Sequence, residues 1–254
     1  MRIKTITITL LVMVFGIGAA DLIGLRRGSS QETPDKFAKI CRPMDCGFGG
    51  YEHPDNCTCQ YSVLLIDFSD KGIEFTDAQN GVNFDLDTSG GTKQERVSWT
   101  VANSSAAFLF LDRNENGTVD NGYELWGNFS PQLPSSSEAN GFLGLAYYDS
   151  SERGGNGDGL IDGRDAFFSR LRLWQDSNHN GVSEPNELHT LAAYGVEALS
   201  LEHRESRRRD QWGNLFRYEA DVYAANHRKI GTAYDVVLLR LRGPSPFKVQ
   251  RNHG

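Results

Sequence analysis

Three stretches of this chain place an oxygen-bearing side chain at every second residue and then a glycine. They are residues 85–90, 112–117 and 176–181. Calcium takes six to eight oxygens at about 2.3–2.6 Å, and loop positions 1, 3 and 5 converge on one ion when a glycine at position 6 permits a sharp turn. Asp, Asn and Gly also form ordinary turns, but the pattern arises by chance in roughly one chain in forty of this length. The repetition therefore predicts calcium loops.

Loop A, residues 112–124, is the most complete of these stretches. Its predicted ligands are Asp112, Asn114, Asn116, the main-chain carbonyl of Thr118, Asp120 and Glu124. An EF-hand places its closing glutamate at position 12, whereas Glu124 is the thirteenth residue. The pair Asn121-Gly122 is expected to accommodate the extra residue, so loop A is a variant of the EF-hand loop.

Loop C, residues 176–187, closes in register because Glu187 is its twelfth residue. Its predicted ligands are Asp176, Asn178, Asn180, the main-chain carbonyl of Val182, Glu184 and Glu187. Loop C departs from the usual pattern at position 8, where Ser183 replaces a branched apolar residue.

Loop B, residues 149–165, is a damaged copy between the other two. Asn156, Asp158, the main-chain carbonyl of Leu160, Asp162 and Asp165 supply positions 3 to 12, but Gly154 stands at position 1. Asp149 takes that position if residues 150–155 loop out.

Two weaker patterns lie nearer the N-terminus. The Asp85 stretch has no clear closing acid beyond Glu95, and the stretch from Asp67 has Lys71 at position 5, where an ammonium group would replace the ion. Asp67 is therefore predicted to head a plain turn. The loops together predict two to four calcium ions.

The N-terminus is typical of an export signal. Arg2 and Lys4 precede an apolar run that ends near Ile17, and Gly18-Ala-Ala20 forms a cleavage site. The alternative is an uncleaved anchor that extends to residue 25 and spans a membrane. Asp21 interrupts the longer run and favours a signal peptide over 1–20. A tether is predicted over 21–37 and a loose tail over 244–254.

All four cysteines lie in a predicted knob over residues 38–60. They are Cys41, Cys46, Cys57 and Cys59. In an exported protein a clustered, even set predicts two disulfides, and three pairings are open. A zinc site is the alternative, but Cys57-Thr-Cys59 lacks the two-residue gap that is usual in zinc knuckles.

Residues 61–243 are predicted to form one α+β domain, with antiparallel strands, short helices and several EF-hand-like loops. Short β-type runs punctuated by turn residues predict strands at 61–67, 81–85, 96–101, 106–112, 196–201, 215–223 and 234–241, the first four forming a meander. Apolar spacing predicts helices at 141–148, 165–171 and 185–191. Residues 210–214 are predicted to form a hairpin turn.

The net charge of −7 argues against nucleic acid as a partner, because nucleic acid demands a positive field. The basic run over 204–210 is accordingly interpreted as a solvated turn. The chain lacks a G-x-S-x-G elbow, an H-E-x-x-H zinc helix, a P-loop and a dinucleotide fingerprint. Paired carboxylates can hydrolyse glycosides, but nearly all candidate acids here belong to a predicted calcium loop. The pattern favours a protein without catalysis.

Residues 111–127, 140–143, 156–162 and 173–181 carry a resemblance. Over roughly residues 63–241 the chain resembles the EF-hand-like calcium region of large exported bacterial repeat proteins, and still more a group of small uncharacterised bacterial exported proteins. The resemblance implies calcium binding outside the cytoplasm. The glycine-rich nonapeptide repeats of the large relatives are absent from this sequence.

The expected function is that of an exported calcium-binding protein with a structural or interaction role. The expected location is secreted, periplasmic or at the cell envelope of a bacterium. A cell-surface protein or a glycan is the expected class of partner, and a membrane is one only if the N-terminal segment is uncleaved. The alternatives are a calcium-dependent, dockerin-like recognition module and a secreted hydrolase.

Overall fold

The structure is a computed structural model that describes residues 51–53, 58–69, 71–86, 95–128, 130–131 and 139–241. For residues 51–53 and 58–60 it describes the main chain only. The predicted signal or anchor, the tether, the tail and most of the knob lie outside the described residues. Cys41, Cys46 and Cys57 lie outside them too, as does the side chain of Cys59, so the two disulfides stay a prediction.

The described residues form thirteen strands and one α-helix. The strands are β1 Tyr51–His53, β2 Thr58–Gln60, β3 Ser62–Asp67, β4 Val82–Phe84, β5 Glu95–Val97, β6 Ala106–Phe110, β7 Leu160–Asp162, β8 Arg172–Trp174, β9 Leu188–Thr190, β10 Ala198–Ser200, β11 Arg204–Arg209, β12 Leu215–Ala224 and β13 Arg228–Val237. Helix α1 spans Gly141–Asp149, and 3₁₀ turns span Ser151–Arg153, Phe168–Arg170, Leu191–Tyr194 and Ala225–His227. Each segment predicted as a strand contains or overlaps one of these strands.

Nine strands pair antiparallel in one sheet. The order is β7-β10-β12-β13-β3-β6-β8-β9, and β11 also pairs with β12. The pairs β1-β2 and β4-β5 form separate two-stranded sheets. The predicted meander is therefore wrong in its connections, because β3 and β6 are neighbours in the large sheet while β4 and β5 pair with each other in a separate sheet.

Strand β3 lies at the centre of the core, and all six of its residues are buried. Since side chains alternate between the two faces of a strand, an uninterrupted apolar run predicts burial on both faces. Val63 and Leu65 pack into one hydrophobic cluster with Trp99, Phe108 and Trp174. Their neighbours Leu64 and Ile66 pack into a second cluster, with Trp126, Phe142 and Phe167. The sheet therefore has a hydrophobic layer on each face.

The predicted α+β class is wrong, because the described residues form a mainly-β fold with a single α-helix. Residues 165–171 contain only a 3₁₀ turn, and residues 185–191 contain β9, which pairs with β8. Both segments are short, and a short apolar run does not distinguish a helix from a buried strand. The exit of loop C continues into a strand at the edge of the sheet instead of an EF-hand helix.

Helix α1 is the one predicted helix that the structure contains. Asn140 caps it, because its side-chain oxygen accepts a hydrogen bond from the Leu143 N–H at 2.9 Å. Phe142 and Leu145 attach the helix to the second hydrophobic cluster. Within the described part of the chain, no helix combines the length and apolar character needed to cross a membrane.

The hairpin turn predicted over 210–214 lies between β11 and β12. One carboxylate oxygen of Asp210 accepts the N–H groups of Trp212, Gly213 and Asn214 at 2.8–2.9 Å. The basic run before it is not the solvated turn predicted, since residues 204–209 form β11 with a bulge. Arg204 forms an ion pair with Glu219 across that strand pair at 2.7 Å, so part of the positive charge is compensated within the sheet.

Candidate metal-binding loops

Loop A is closed by the carboxylates at its two ends. Asp112 accepts the N–H groups of Asn116 at 3.2 Å and Gly117 at 2.8 Å. Glu124, which is 2% exposed, accepts the N–H groups of Arg113 at 3.0 Å and Asp120 at 2.9 Å. The carboxylate of the thirteenth residue therefore folds back over the loop, while its predicted contact with an ion stays a prediction.

Gly122 of loop A lies directly against the main chain of residues 85 and 86. Its N–H donates to the Asp85 carbonyl at 2.7 Å, and a Cβ atom at this position would lie 2.0 Å from the Leu86 carbonyl oxygen. A close approach of two main chains thus requires glycine here. Asp87 and Ser89 lie outside the described residues, so the Asp85 stretch itself is not tested.

The interior side chains of loop A converge on Asp120. The amide groups of Asn114 and Asn116 each donate to Asp120 Oδ2 at 2.8 Å, and the Thr118 hydroxyl donates to Oδ1 at 3.1 Å. The hydrogen bond from Asn114, supported by those from Asn116 and Thr118 and opposed by burial, lowers the pKa of Asp120. Positions 3, 5 and 9 therefore face one small volume with an ionised acid at its edge.

Loop C has the same closure as loop A. Asp176, 1% exposed, accepts the N–H groups of Asn180 at 3.1 Å and Gly181 at 2.8 Å. Glu187 accepts the Ser177 N–H at 2.8 Å and the Asn178 N–H at 3.3 Å. Inside the loop, the Asn180 amide donates to Glu184 at 2.7 Å and, as the main cause, lowers the pKa of Glu184. Val182, predicted to contribute its carbonyl, is 58% exposed.

Two tryptophans hold the end acids of loop C from inside the core. The Trp99 indole N–H donates to Asp176 at 2.8 Å, and the Trp174 indole N–H lies 3.4 Å from Glu187. Both rings are fully buried. Trp99 lies 77 residues before Asp176 in the chain, so its contact with this acid could not be predicted from sequence position.

Loop B begins at Asp149, the last residue of α1. Asp149 accepts the N–H groups of Gly157 at 2.9 Å and Gly159 at 3.0 Å, while residues 151–153 form a 3₁₀ turn that leaves the loop. Asp165 accepts the Asn156 N–H at 3.2 Å and the Asp162 N–H at 2.8 Å. The inserted residues 150–155 thus loop out and Asp149 heads the loop, as the sequence required for a closed loop B.

Loop B differs from the others in containing a cationic side chain among its acids. The Arg164 guanidinium contacts Asp158, and its Nη2 lies 2.6 Å from Asp162 Oδ2. Hydrogen bonding from Arg164 lowers the pKa of Asp162. Burial, with repulsion from Asp149 and Asp162, raises the pKa of Asp165.

All three loops combine acids with other oxygen groups. Among the described residues, no three His, Cys, Asp or Glu side chains form a cluster that could hold a metal ion. A site in any of these loops must therefore use Asn amide and main-chain oxygens beside the carboxylates. Asp67 forms a plain turn by accepting the Ser69 N–H at 2.9 Å.

Loops A and C are joined at their eighth positions. Val119 of loop A is buried, and its N–H donates to the Ser183 hydroxyl of loop C at 2.7 Å. Ser183, the departure from the usual pattern, is itself buried. The polar side chain at position 8 of loop C thus accepts the main-chain N–H of position 8 in loop A, a bond that a branched apolar side chain could not form.

We expect Ser183→Ala to lower the free energy of unfolding by about 1–3 kcal/mol, because it leaves the buried Val119 N–H without an acceptor. Urea unfolding measures the change. Ser151→Ala is the control, since Ser151 is exposed, and it should change stability by less than about 0.5 kcal/mol. Equal stability of the two variants would show that the contact between the loops contributes nothing.

A family model matches this chain, and so do related proteins. The model of the SPM domain covers residues 64–239. The chain belongs to the SPM domain family. One relative is the iron-regulated protein FrpA of Neisseria meningitidis serogroup C, which is 36% identical over 147 residues. That match covers 57% of this chain but only 12% of FrpA.

The SPM domain match contains loops A, B and C in full, together with strands β6 to β13. It begins within β3 and ends two residues after β13. The three loops are thus parts of the family's domain, whereas the predicted knob lies before the match.

Proposed function

We propose that this protein is an exported calcium-binding protein, in which two to four calcium ions hold the loops of the SPM domain in place for a structural or interaction role without catalysis. Secretion, or retention in the periplasm or cell envelope, is part of the proposal, as is a surface protein or glycan as partner. Neither the family description nor the name of FrpA mentions calcium, so the proposal depends on the chemistry of the loops.

The observation that carries the proposal is the common closure of the three loops. In each, the first acid accepts the N–H of the glycine at position 6, and the closing acid accepts an N–H at position 2 or 3. In loops A and B the closing acid also accepts the N–H at position 9. The closure holds the first and last acids against the main chain of the loop, and calcium would bind both.

The charge of the loops supports a bound cation. Loop A carries three carboxylates at its predicted ligand positions, those of Asp112, Asp120 and Glu124, and loop C carries those of Asp176, Glu184 and Glu187. A divalent cation would offset the negative charge of these acids. Carboxylate and amide oxygens are hard ligands that suit calcium. Calcium also tolerates an irregular arrangement of such oxygens, whereas magnesium demands a near-ideal octahedron.

Two of the acids that line a cavity of about 560 Å³ beside Trp212 are engaged in turns, which does not favour a hydrolase. Asp210 accepts three main-chain N–H groups of the hairpin turn, and Asp77 accepts the Asn80 N–H at 2.7 Å. Hydrolysis of a glycoside needs a pair of acids that are available to the substrate.

The test is equilibrium dialysis of the purified protein against radioactive calcium. We expect two to four bound ions, with affinities of about 10⁻⁴–10⁻³ M, as in extracellular calcium modules. Asp112→Ala and Asp176→Ala should each remove one ion. Glu115→Gln is the matched control, since Glu115 is an exposed acid at position 4 of loop A, with a positive φ of 59°. A folded protein that retains no calcium would contradict the proposal.

A further inference from the structure

Arg164 lies among the acids of loop B. Its Nε lies 3.1 Å from both carboxylate oxygens of Asp162, its Nη2 lies 2.6 Å from Oδ2, and its main-chain N–H donates to Oδ1 at 2.8 Å. The same Nη2 contacts Asp158. Asp158 and Asp162 occupy positions 5 and 9, which face the predicted ion, so a guanidinium bridges two of the acids that calcium would use.

Loops A and C have no such contact. In loop A the position-9 acid Asp120 accepts the neutral amides of Asn114 and Asn116, and in loop C Glu184 accepts that of Asn180. Among the ion pairs between described residues, none involves Asp120 or Glu184. The cationic contact is a property of loop B alone among the three.

The composition of loop B gives a reason for this difference. It has four carboxylates at its predicted ligand positions, those of Asp149, Asp158, Asp162 and Asp165, where loops A and C each have three. Four like charges in one loop need a compensating cation, and Arg164 supplies it within the chain.

The Arg164 side chain has room to move away from Asp158 and Asp162. It is 59% exposed, and it borders a cavity of about 410 Å³ that Glu197 and His227 also line. A guanidinium displaced from loop B therefore has solvent and the Glu197 carboxylate nearby. Because exposed ion pairs are weak, the exchange is reversible.

We infer that Arg164 is the internal cation of loop B, and that calcium binds there only by displacing its guanidinium from Asp158 and Asp162. Loop B then requires more free calcium than its four carboxylates alone would need. This inference rests on the proposed function, because it concerns how one of the proposed sites is regulated.

The test is a calcium titration followed by nitrogen–proton correlation NMR on the whole protein. The N–H groups of Gly117, Gly159 and Gly181 donate to the first acids of loops A, B and C at 2.8, 3.0 and 2.8 Å. Each glycine signal therefore reports on its own loop. In Arg164→Gln we expect the midpoint for Gly159 to fall about tenfold, a scale set by two exposed ion pairs, while the midpoints for Gly117 and Gly181 stay unchanged.

Arg153→Gln is the matched control for loss of positive charge near loop B. Arg153 lies in the looped-out turn, and its guanidinium packs over the Tyr147 ring at 4.4 Å. We expect this variant to move the Gly159 midpoint less than about twofold. In the unsubstituted protein, the Arg164 Nε–H signal should shift at the same calcium concentration as that of Gly159.

The outcomes separate the inference from the proposed function. The inference is overturned if Arg164→Gln leaves the Gly159 midpoint in place, if Arg153→Gln shifts it equally, or if the Arg164 Nε–H signal stays constant while Gly159 responds. In all three cases calcium binding still stands. If none of the three glycine signals responds up to about 10 mM calcium, the proposed function fails and the inference fails with it.

Discussion

We expect EGTA to lower the melting temperature of this protein by about 10 °C and added calcium to restore it. Binding to the folded state alone adds RT ln(1 + [L]/Kd), which is about 1.4 kcal/mol for each site at 1 mM calcium and a Kd of about 10⁻⁴ M. Three sites then add about 4 kcal/mol, and each kcal/mol corresponds to about 2–4 °C in a chain of this size. Calorimetry or circular dichroism with both additions measures the shift.

Variants of loops A and C test how much each site contributes to the calcium-dependent rise in melting temperature. Asp112→Ala and Asp176→Ala should each remove about a third of the calcium-dependent increase, because each deletes the acid that heads one loop. Glu202→Gln serves as the control, since Glu202 is an exposed acid outside the three loops. If the melting temperature of the unsubstituted protein is the same with EGTA and with added calcium, the central proposal is refuted. Equal shifts in all variants would instead assign the calcium to other residues.

The strands could be predicted because their apolar runs are buried in the sheet. Residues 61–67 and 106–112 carry the predicted runs, and β3 and β6 are fully buried. The pairing of strands could not be predicted, because antiparallel partners such as β3 and β13 are separated by more than 150 residues. Local sequence sets a strand's periodicity, whereas its neighbour is chosen by packing across the whole domain.

The helix predictions were wrong where a short segment fits either a helix or a strand. Residues 185–191 have apolar spacing that suits one helical turn, but Leu188 packs at the edge of the core and pairs with Trp174. The closing acid Glu187 is drawn to the N–H groups of Ser177 and Asn178. This contact fixes the chain at the start of β9, and pairing with β8 then competes successfully with helix formation.

The acids of the three loops could be predicted from the sequence, but the residues that contact those acids and the loop main chain could not. The spacing of Asp, Asn and Gly identified the ends of loops A and C, and it also indicated the role of Asp149 in loop B. Trp99, Ser183 and Arg164 act on the loops through contacts that depend on the fold or on rotamers. Only Ser183 left a signal, as a polar residue at an expected apolar position.

A buried ion pair at the start of α1 should have the largest single-residue effect on stability. Asp235 is fully buried, and its Oδ1 lies 3.6 Å from Nη1 of Arg217, which is also buried. Asp235 Oδ2 accepts the Gly141 N–H at 2.7 Å and the Ser62 hydroxyl at 3.0 Å. The carboxylate thus lies at the positive end of α1, which favours its charge, while burial opposes it.

We expect Arg217→Met and Asp235→Asn each to lower the free energy of unfolding by about 3–5 kcal/mol, since each leaves one buried charge without its partner. The double variant removes both charges of the pair, and its amide oxygen at position 235 can still accept from Gly141 and Ser62. Because it lacks both charges of this pair, it should be more stable than the sum of the single changes predicts, with a coupling energy above about 1 kcal/mol. Urea unfolding in saturating calcium measures all four proteins. Additive effects would show that the two charges do not interact.

The pH dependence of Arg217→Met provides an independent check. Burial raises the pKa of Asp235, and the Arg217 guanidinium opposes that rise, so the pKa should rise further in this variant. A carboxyl whose folded-state pKa exceeds its unfolded value of about 3.9 binds more protons when folded, so stability falls as pH rises between the two values. The penalty of Arg217→Met should therefore be larger at pH 8 than at pH 5, and the double variant should lose that dependence. The exposed pair Lys229–Asp221, 2.6 Å apart, gives the control, because Lys229→Met should cost less than about 1 kcal/mol at either pH.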